Sequence, residues 1–465
     1  MKAIIERFIE KDFNKTLSDI KKILQIKTVK DLPTKDAPFG EGLKIGLEEV
    51  LEIAKRLGFK TTNLDNYIGY AEIGSGDEYI AILGHIDVVP AGDESKWKVM
   101  PFSGEIVGNE IISRGALDNK APIISALHAM YCLKELELTA GKKIRVIFGT
   151  NEESGDEDIK YYLKREKPPK YAFTPDGRFP VVFSEKGIYT FRYNELINLE
   201  NSKVLELSGG EKSNVIPEKC SCKIRLSNEE SLIKEINELE LTSKYRYSFN
   251  LEEDCIVLTC FGVSAHASSP QKGVNPIIGM FTLLDRVLNE NDSLKNFSKF
   301  VSSMIGEYYD GSGLEIDKKS LETGDLTLSV GIAKLNKNNI EIKINIRYPQ
   351  GVTEEFLNKT LEKKAKENGI RFVRDNHNPP LYFDRNSTLV KALQKSYLDV
   401  TGRDEKPVAL GGGTYAKLMP NTVAFGPNFV EYKGNPHGVN ESIDIEMLRQ
   451  GMVIYALGVL ELLKN

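Results

Sequence analysis

Five short segments carry the residues of this chain best suited to hold cations and move protons. The first is Leu83-Gly84-His85-Ile86-Asp87. In an extended segment residues i and i+2 point the same way, so Asp87 can reach the His85 imidazole. A carboxylate on one ring nitrogen leaves the other free for a metal. The second is Gly115-Ala116-Leu117-Asp118-Asn119-Lys120, in which Asp118 also has the make-up of a helix N-cap. The third is Gly149-Thr150-Asn151-Glu152-Glu153, where one carboxylate could ligate a metal and its neighbour handle protons. The fourth is Thr174-Pro175-Asp176-Gly177, which is also an ordinary turn signature. The fifth, Asn435-Pro436-His437-Gly438, lies far along the chain. Each segment alone has a plain structural reading. Together they offer five nitrogen and oxygen donors without thiolates, a set that suits Zn, Mn or Co. No His-Glu-x-x-His pair and no phosphate loop occurs. Gly74-Ser75-Gly76 lacks the third glycine of a dinucleotide fingerprint, and Gly411-Gly412-Gly413-Thr414 lacks the Gly-Lys-Ser/Thr ending of a phosphate loop.

The elements that must position these donors are legible as apolar runs. Tyr79 to Leu83, Ile144 to Phe148 and Tyr171 to Thr174 read as buried strands. Glu41 to Leu57, Lys120 to Leu136 and about Asp156 to Lys164 read as helices, the first stopping at Gly58. This alternation predicts an α/β mixed sheet flanked by helices, parallel at its centre, with ligands beyond the carboxyl ends of its strands. From about 181 to 379 the pattern changes. Gly187 to Tyr193, Lys219 to Leu226, Cys255 to Phe261, Leu326 to Ile332 and Ile340 to Arg347 read as strands. Asn275 to Leu288 and Thr353 to Lys366 read as helices. An inserted α+β domain with mainly antiparallel pairing is expected there, divisible into two subdomains. The first domain resumes over 380–465 and ends on a helix from Ile443 to Leu463, giving it the two parts 1–180 and 380–465.

A length of 465 residues exceeds one ordinary core. The charged fraction is 28%, the net charge −5, and both signs are interspersed, so nucleic acid is not an expected partner. No apolar run reaches the roughly 18 residues of a membrane span, and the first residues lack a signal-peptide core, so a cytoplasmic location is expected. Five cysteines are an odd number, against a disulfide framework, and read as free thiols.

The ordered set of motifs resembles the M20 metallopeptidase family, and within it the PepV-type dipeptidases, along almost the whole chain. The resemblance implies a Zn-peptidase-like catalytic domain with a lid domain inserted. It implies two divalent metal ions, zinc first, with manganese or cobalt as alternatives. Asp118 would bridge the metals; His85 and Asp176 would complete one site, Glu153 and His437 the other. Glu152 would be the general base, Asp87 would orient His85, and the Asp118–Asn119 peptide bond would be cis. His266, in Ser264-Ala265-His266-Ala267-Ser268, matches the family's substrate-facing histidine and would donate to the oxyanion. Asn214 and Arg347 match substrate-contacting positions, with Arg347 suited to a terminal carboxylate. The backbone of Gly413 and Thr414 would lie near substrate. The implied reaction is hydrolysis of unblocked dipeptides by a metal-activated water, in a monomer. Other amide hydrolases of this family are the alternative: an N-acyl amino acid deacylase, a desuccinylase-like enzyme or a carboxypeptidase. An inactive binding protein is a remote one, since Glu152 and all five ligands are present.

Overall fold

The computed structural model describes residues 1–225, 229–252 and 254–465. It divides into two compact units: Met1–Ser184 with Tyr382–Leu410 and Thr414–Asn465, and Glu185–Leu381 with Gly411–Gly413.

The first unit is built on a mixed sheet. Its strands run in the order Lys60–Leu64, Ile68–Ile73, Lys142–Gly149, Ser75–His85, Tyr171–Thr174, Thr422–Ala424 and Val182–Glu185. The four strands from Lys142–Gly149 to Thr422–Ala424 are parallel, and the flanking pairs are antiparallel. Alternation along Ser75–His85 explains why both faces of the sheet are dry. Ile80 and Ile82 join one apolar cluster, while Tyr79, Ala81 and Leu83 join another on the opposite face. A strand buried on both sides reads as a continuous apolar run, which is the pattern of a central parallel strand. The larger cluster is covered by the helices Lys2–Leu24, Glu41–Arg56, Lys120–Glu135, Thr388–Thr401 and Ile445–Leu463. The strands extend further than the apolar runs do, so His85 is the last residue of its strand rather than the residue after it. The final helix starts at Ile445, because Ser442–Asp444 forms a short strand against Glu110–Ile112.

The second unit is one antiparallel sheet. Its order is Arg246–Glu252, Cys255–Phe261, Lys219–Arg225, Val204–Gly209, Thr327–Asn336, Asn339–Tyr348, Gly187–Leu196 and Arg371–Asn378. Leu226, the last residue of one strand expected from the sequence, lies outside the described residues. The helices Glu229–Thr242, Pro276–Val287 and Glu354–Glu367 contribute to a single apolar cluster with this sheet. Cys220, Cys222 and Cys260 are buried in that cluster as free thiols. Among the described residues no helix is long and apolar enough to cross a membrane.

Candidate metal centre

Three parallel strands deliver their last residues to one edge of the first unit. His85 ends Ser75–His85, Glu152 and Glu153 form the first turn after Lys142–Gly149, and Asp176 follows Tyr171–Thr174. In register His85 lies opposite Gly149, so the histidine and the glutamate pair leave the sheet side by side. Asp118 precedes the helix Lys120–Glu135, whose N-cap is Asn119 and not Asp118. The Asp118–Asn119 peptide bond is cis. The Asn119 side chain accepts from the His85 N–H and donates to the Pro175 carbonyl, tying two strand ends together. His437 sits in the loop before Ser442–Asp444, at a positive φ of 62°.

The donors fall into two groups that share Asp118: His85, Asp118 and Asp176, and Asp118, Glu153 and His437. Asp118 Oδ1 lies 3.0 Å from His85 Nε2, and Asp118 Oδ2 lies 3.0 Å from His437 Nε2. One carboxylate thus offers a separate oxygen to each group. Asp176 Oδ2 is 3.7 Å and Glu152 Oε2 3.9 Å from His85 Nε2. Glu153 Oε1 is 2.9 Å from His437 Nε2, yet it is buried and makes no hydrogen bond. Two atoms in contact without hydrogen-bond geometry are disposed as two ligands of a shared cation would be. Four largely buried carboxylates and two imidazoles, His85 buried and His437 exposed, crowd one edge and also call for positive charge. The residues present therefore fit two divalent cations.

The electrostatics agree. Burial, reinforced by the carboxylates of Asp176, Glu153 and Asp118, pushes Glu152 well above the usual carboxylate range, although His85 opposes it. Burial and Asp118 likewise raise Glu153. Burial would lower His437, but Asp118 and Glu153 outweigh it and push the imidazole up to about 10. A proton favoured on these ligands is the substitute for a cation among them.

The sequence reading has Asp87 orient His85, and two acceptor groups of Asp87 lie near that ring. His85 Nδ1 is 2.9 Å from the Asp87 backbone carbonyl and 3.4 Å from its carboxylate. The carbonyl is the closer acceptor for the ring N–H. The carboxylate instead accepts the N–H groups of Glu152, at 3.1 Å, and Glu153, at 2.9 Å. Asp87 is therefore the anchor of the glutamate turn. The i, i+2 argument put its side chain on the correct side but could not see a turn 65 residues away compete for it.

Several supporting residues had no distinctive local signal. Asp158 accepts from the N–H groups of Thr150 and Asn151 and from the Tyr415 hydroxyl, fixing the start of the same turn. Burial and the Asp87 charge push Asp158 up to about 6. Glu441 accepts from the N–H groups of Leu117 and Asp118 and pairs with buried Arg114. Arg114 and Glu441 lie just outside the second and fifth motifs quoted from the sequence, 327 residues apart. His128, which matches no ligand position, is buried and lies 3.0 Å from Asp19 Oδ2.

The remaining expected residues belong to the second unit or its border. His266 is exposed in a loop, and its Nδ1 accepts from the Ser268 N–H at 3.2 Å. An accepting Nδ1 puts the neutral ring's proton on Nε2. Arg347 is the next-to-last residue of Asn339–Tyr348, with 5% exposure, its Nε donating to Asn345 Oδ1 and its Nη1 to the Gly411 carbonyl. Burial pushes its guanidinium down to about 10. The Asn214 carbonyl accepts the Ala267 N–H, next to His266. Gly413 falls in the second unit, and Thr414 caps the turn Tyr415–Lys417 in the first.

The profile of Peptidase family M20/M25/M40 matches residues 81–461. The chain belongs to that family and is a peptidase. It is 33% identical over 455 residues to a Bacillus subtilis (strain 168) protein named "Putative dipeptidase YtjP", covering 96% of this chain and 97% of that one. It is 31% identical over 451 residues to a Staphylococcus epidermidis (strain ATCC 12228 / FDA PCI 1200) protein named "Putative dipeptidase", with 95% and 96% covered. Among solved structures, human carnosine dipeptidase 1 matches with a TM-score of 0.61 at 15% identity, over 100% of this chain and 99% of that one. The di-peptidase Dug1p of Saccharomyces cerevisiae matches with a TM-score of 0.63 at 14% identity, over 100% and 99%. At those identities the two structures speak for the fold, which is that of M20 peptidases.

Proposed function

We propose that this peptidase is a metal-dependent dipeptidase acting on unblocked dipeptides. The observation that carries the reading is the Asp118 carboxylate, which presents one oxygen to each of two ligand groups. His85, Asp118 and Asp176 would hold one divalent cation, and Asp118, Glu153 and His437 the other. Zinc is the metal proposed, with manganese or cobalt as alternatives. Bound there, two such cations would supply Lewis-acid polarisation of a carbonyl and of water.

The chain's own groups would do the rest. Glu152 is half-buried among carboxylates that favour its protonated form. It is suited to take a proton from the attacking water and deliver it to the leaving amine. Asp87 keeps it in place through the backbone. The substrate-side roles follow the resemblance: His266 as donor to the oxyanion, Asn214 and Arg347 on the terminal carboxylate, and the backbone of Gly413 and Thr414 near the peptide. The His266 tautomer and the burial of Arg347 are compatible with those roles.

The test is hydrolysis of free dipeptides, tripeptides and N-acetylated amino acids after chelation, with Zn, Mn or Co added back. Metal-restored cleavage confined to dipeptides is expected, with a loss of at least about 100-fold in Glu152→Ala. Preference for the acetylated substrates would replace the dipeptidase by a deacylase. No turnover with any metal would sink the proposal.

A further inference from the structure

Beside the ligand groups, the first unit opens a pocket of about 360 Å³. Asp118 and Asp176 line it, together with Arg178 and Asn428, against apolar walls that include Leu117 and Phe429. Arg178 ends the two-residue strand Gly177–Arg178, which runs parallel to Pro427–Asn428 with Arg178 opposite Asn428. In extended chain Arg178 faces the same side as Asp176, two residues before it. Cross-strand pairing adds Asn428 to that face.

Two features of this face have no structural purpose. Arg178 is half-buried, yet among the described residues nothing hydrogen-bonds or ion-pairs with its guanidinium. Arg114, Arg145 and Arg347, all more deeply buried, each have acceptors. Asn428 Oδ1 is buried and also has no partner. The Asn428 oxygen, withdrawn from water without a partner, costs stability, so a ligand is its natural partner, and beside it Arg178 presents a guanidinium unpaired among the described residues. The sign of the charge indicates which ligand. Cations held by Asp118 and Asp176 would compensate those carboxylates, leaving Arg178 as the free charge of the pocket.

Resting on the dipeptidase reading, we propose that this pocket receives a side chain of the substrate and that Arg178 selects an acidic one. Arg178 is then a specificity-determining residue, and the Asn428 amide completes the polar end of the pocket. A guanidinium recognises a carboxylate through paired N–H donors, which a lysine cannot reproduce in full. The same chemistry could recognise the α-carboxylate, and amidated peptides separate the two sources.

The experiment compares kcat/KM for Glu-Ala, Ala-Glu, Lys-Ala, Ala-Lys, Ala-Ala and Ala-Ala-amide in the metal-loaded wild type, Arg178→Ala, Arg178→Lys and Arg178→Glu. Calorimetry measures binding of the same peptides to Glu152→Ala with and without Arg178→Ala. The expected result is a fall of about 10- to 100-fold in the acidic-to-neutral ratio for Arg178→Ala. A smaller fall is expected for Arg178→Lys and a swing toward the lysine peptides for Arg178→Glu. Ratios unchanged in every variant would overturn the proposal. So would an equal loss on all free dipeptides that spares the amide, which would assign Arg178 to the α-carboxylate. A wild type that cleaves no dipeptide defeats the functional reading instead, and the calorimetric ratio then decides Arg178 separately.

Discussion

The position of Asp118 depends on a residue outside both candidate ligand groups. Glu441 is fully buried; one of its oxygens takes the N–H groups of Leu117 and Asp118, at 2.9 and 3.0 Å. The other meets Arg114 Nη1 at 2.6 Å. Arg114 in turn donates to the carbonyls of Pro90 and His437, at 3.2 Å each. One buried ion pair thus ties together the segments that carry Asp118, His437 and the exit from the His85 strand. Removing one partner of such a pair leaves an uncompensated buried charge, costing about 3–5 kcal/mol. Glu441→Ala should lose roughly that much stability in chemical denaturation. Glu441→Gln keeps the shape and should show mainly a 10- to 100-fold weaker affinity for metal, read by competition with a chromogenic chelator, since supports of metal ligands have effects of about that size. Wild-type stability in the alanine variant would refute the role. The sequence shows the candidate ligands because imidazoles and paired carboxylates after apolar strands are conspicuous. It does not show Glu441 or Arg178, because an acid and an arginine in polar loops look like ordinary surface residues until the fold brings distant segments together.

At the scale of elements, Tyr79 to Leu83 and Ile144 to Phe148 were legible because those stretches are buried on both faces of the first sheet and form short unbroken apolar runs. Cys255–Phe261 and Tyr171–Thr174 have the limits that their apolar pattern predicts. Edge strands were not. Arg246–Glu252 and Arg371–Asn378 lie at opposite ends of their sheet, and their half-exposed faces carry polar residues. The helix Lys2–Leu24 also went unassigned, since charges crowd its solvent face. Its docking rests partly on Asp19, which is 3% exposed and accepts from Arg56 and His128 of two other helices. Burial alone would raise the Asp19 carboxyl, but those two donors outweigh it and hold it below its ordinary 3.8. A depressed folded pKa means that the unfolded chain binds the proton more readily. The stabilisation is therefore fully present above about pH 4 and fades as the pH falls below it. Asp19→Asn should be less stable than wild type at pH 7, with the gap in urea midpoint narrowing between about pH 4 and pH 2. A gap independent of pH would mean that packing, not charge, sets the role of Asp19.

For the whole molecule, the chain leaves its first unit after Ser184 and returns to it at Tyr382. The apolar clusters respect that division. One set draws only on residues up to 183 and from 383 onward, and the other only on residues 189–372. The eight-stranded ladder likewise finds every partner strand within Glu185–Leu381. A segment that closes its own hydrogen-bond ladder and its own core has what a domain needs to fold alone. The three residues Gly411–Gly413 supply it with a carbonyl for Arg347, and Gly411 leaves no room for a Cβ beside Ser268. A carbonyl on an arginine that also bonds Asn345 is not worth a core. Residues 185–381 produced alone should therefore give a near-ultraviolet circular dichroism signal and one cooperative thermal transition. They should show no peptidase activity with any added metal, because every candidate ligand lies in the other unit. A broad, non-cooperative melt with strong dye binding would show that this core needs the rest of the chain, and that the insertion is not an independent folding unit.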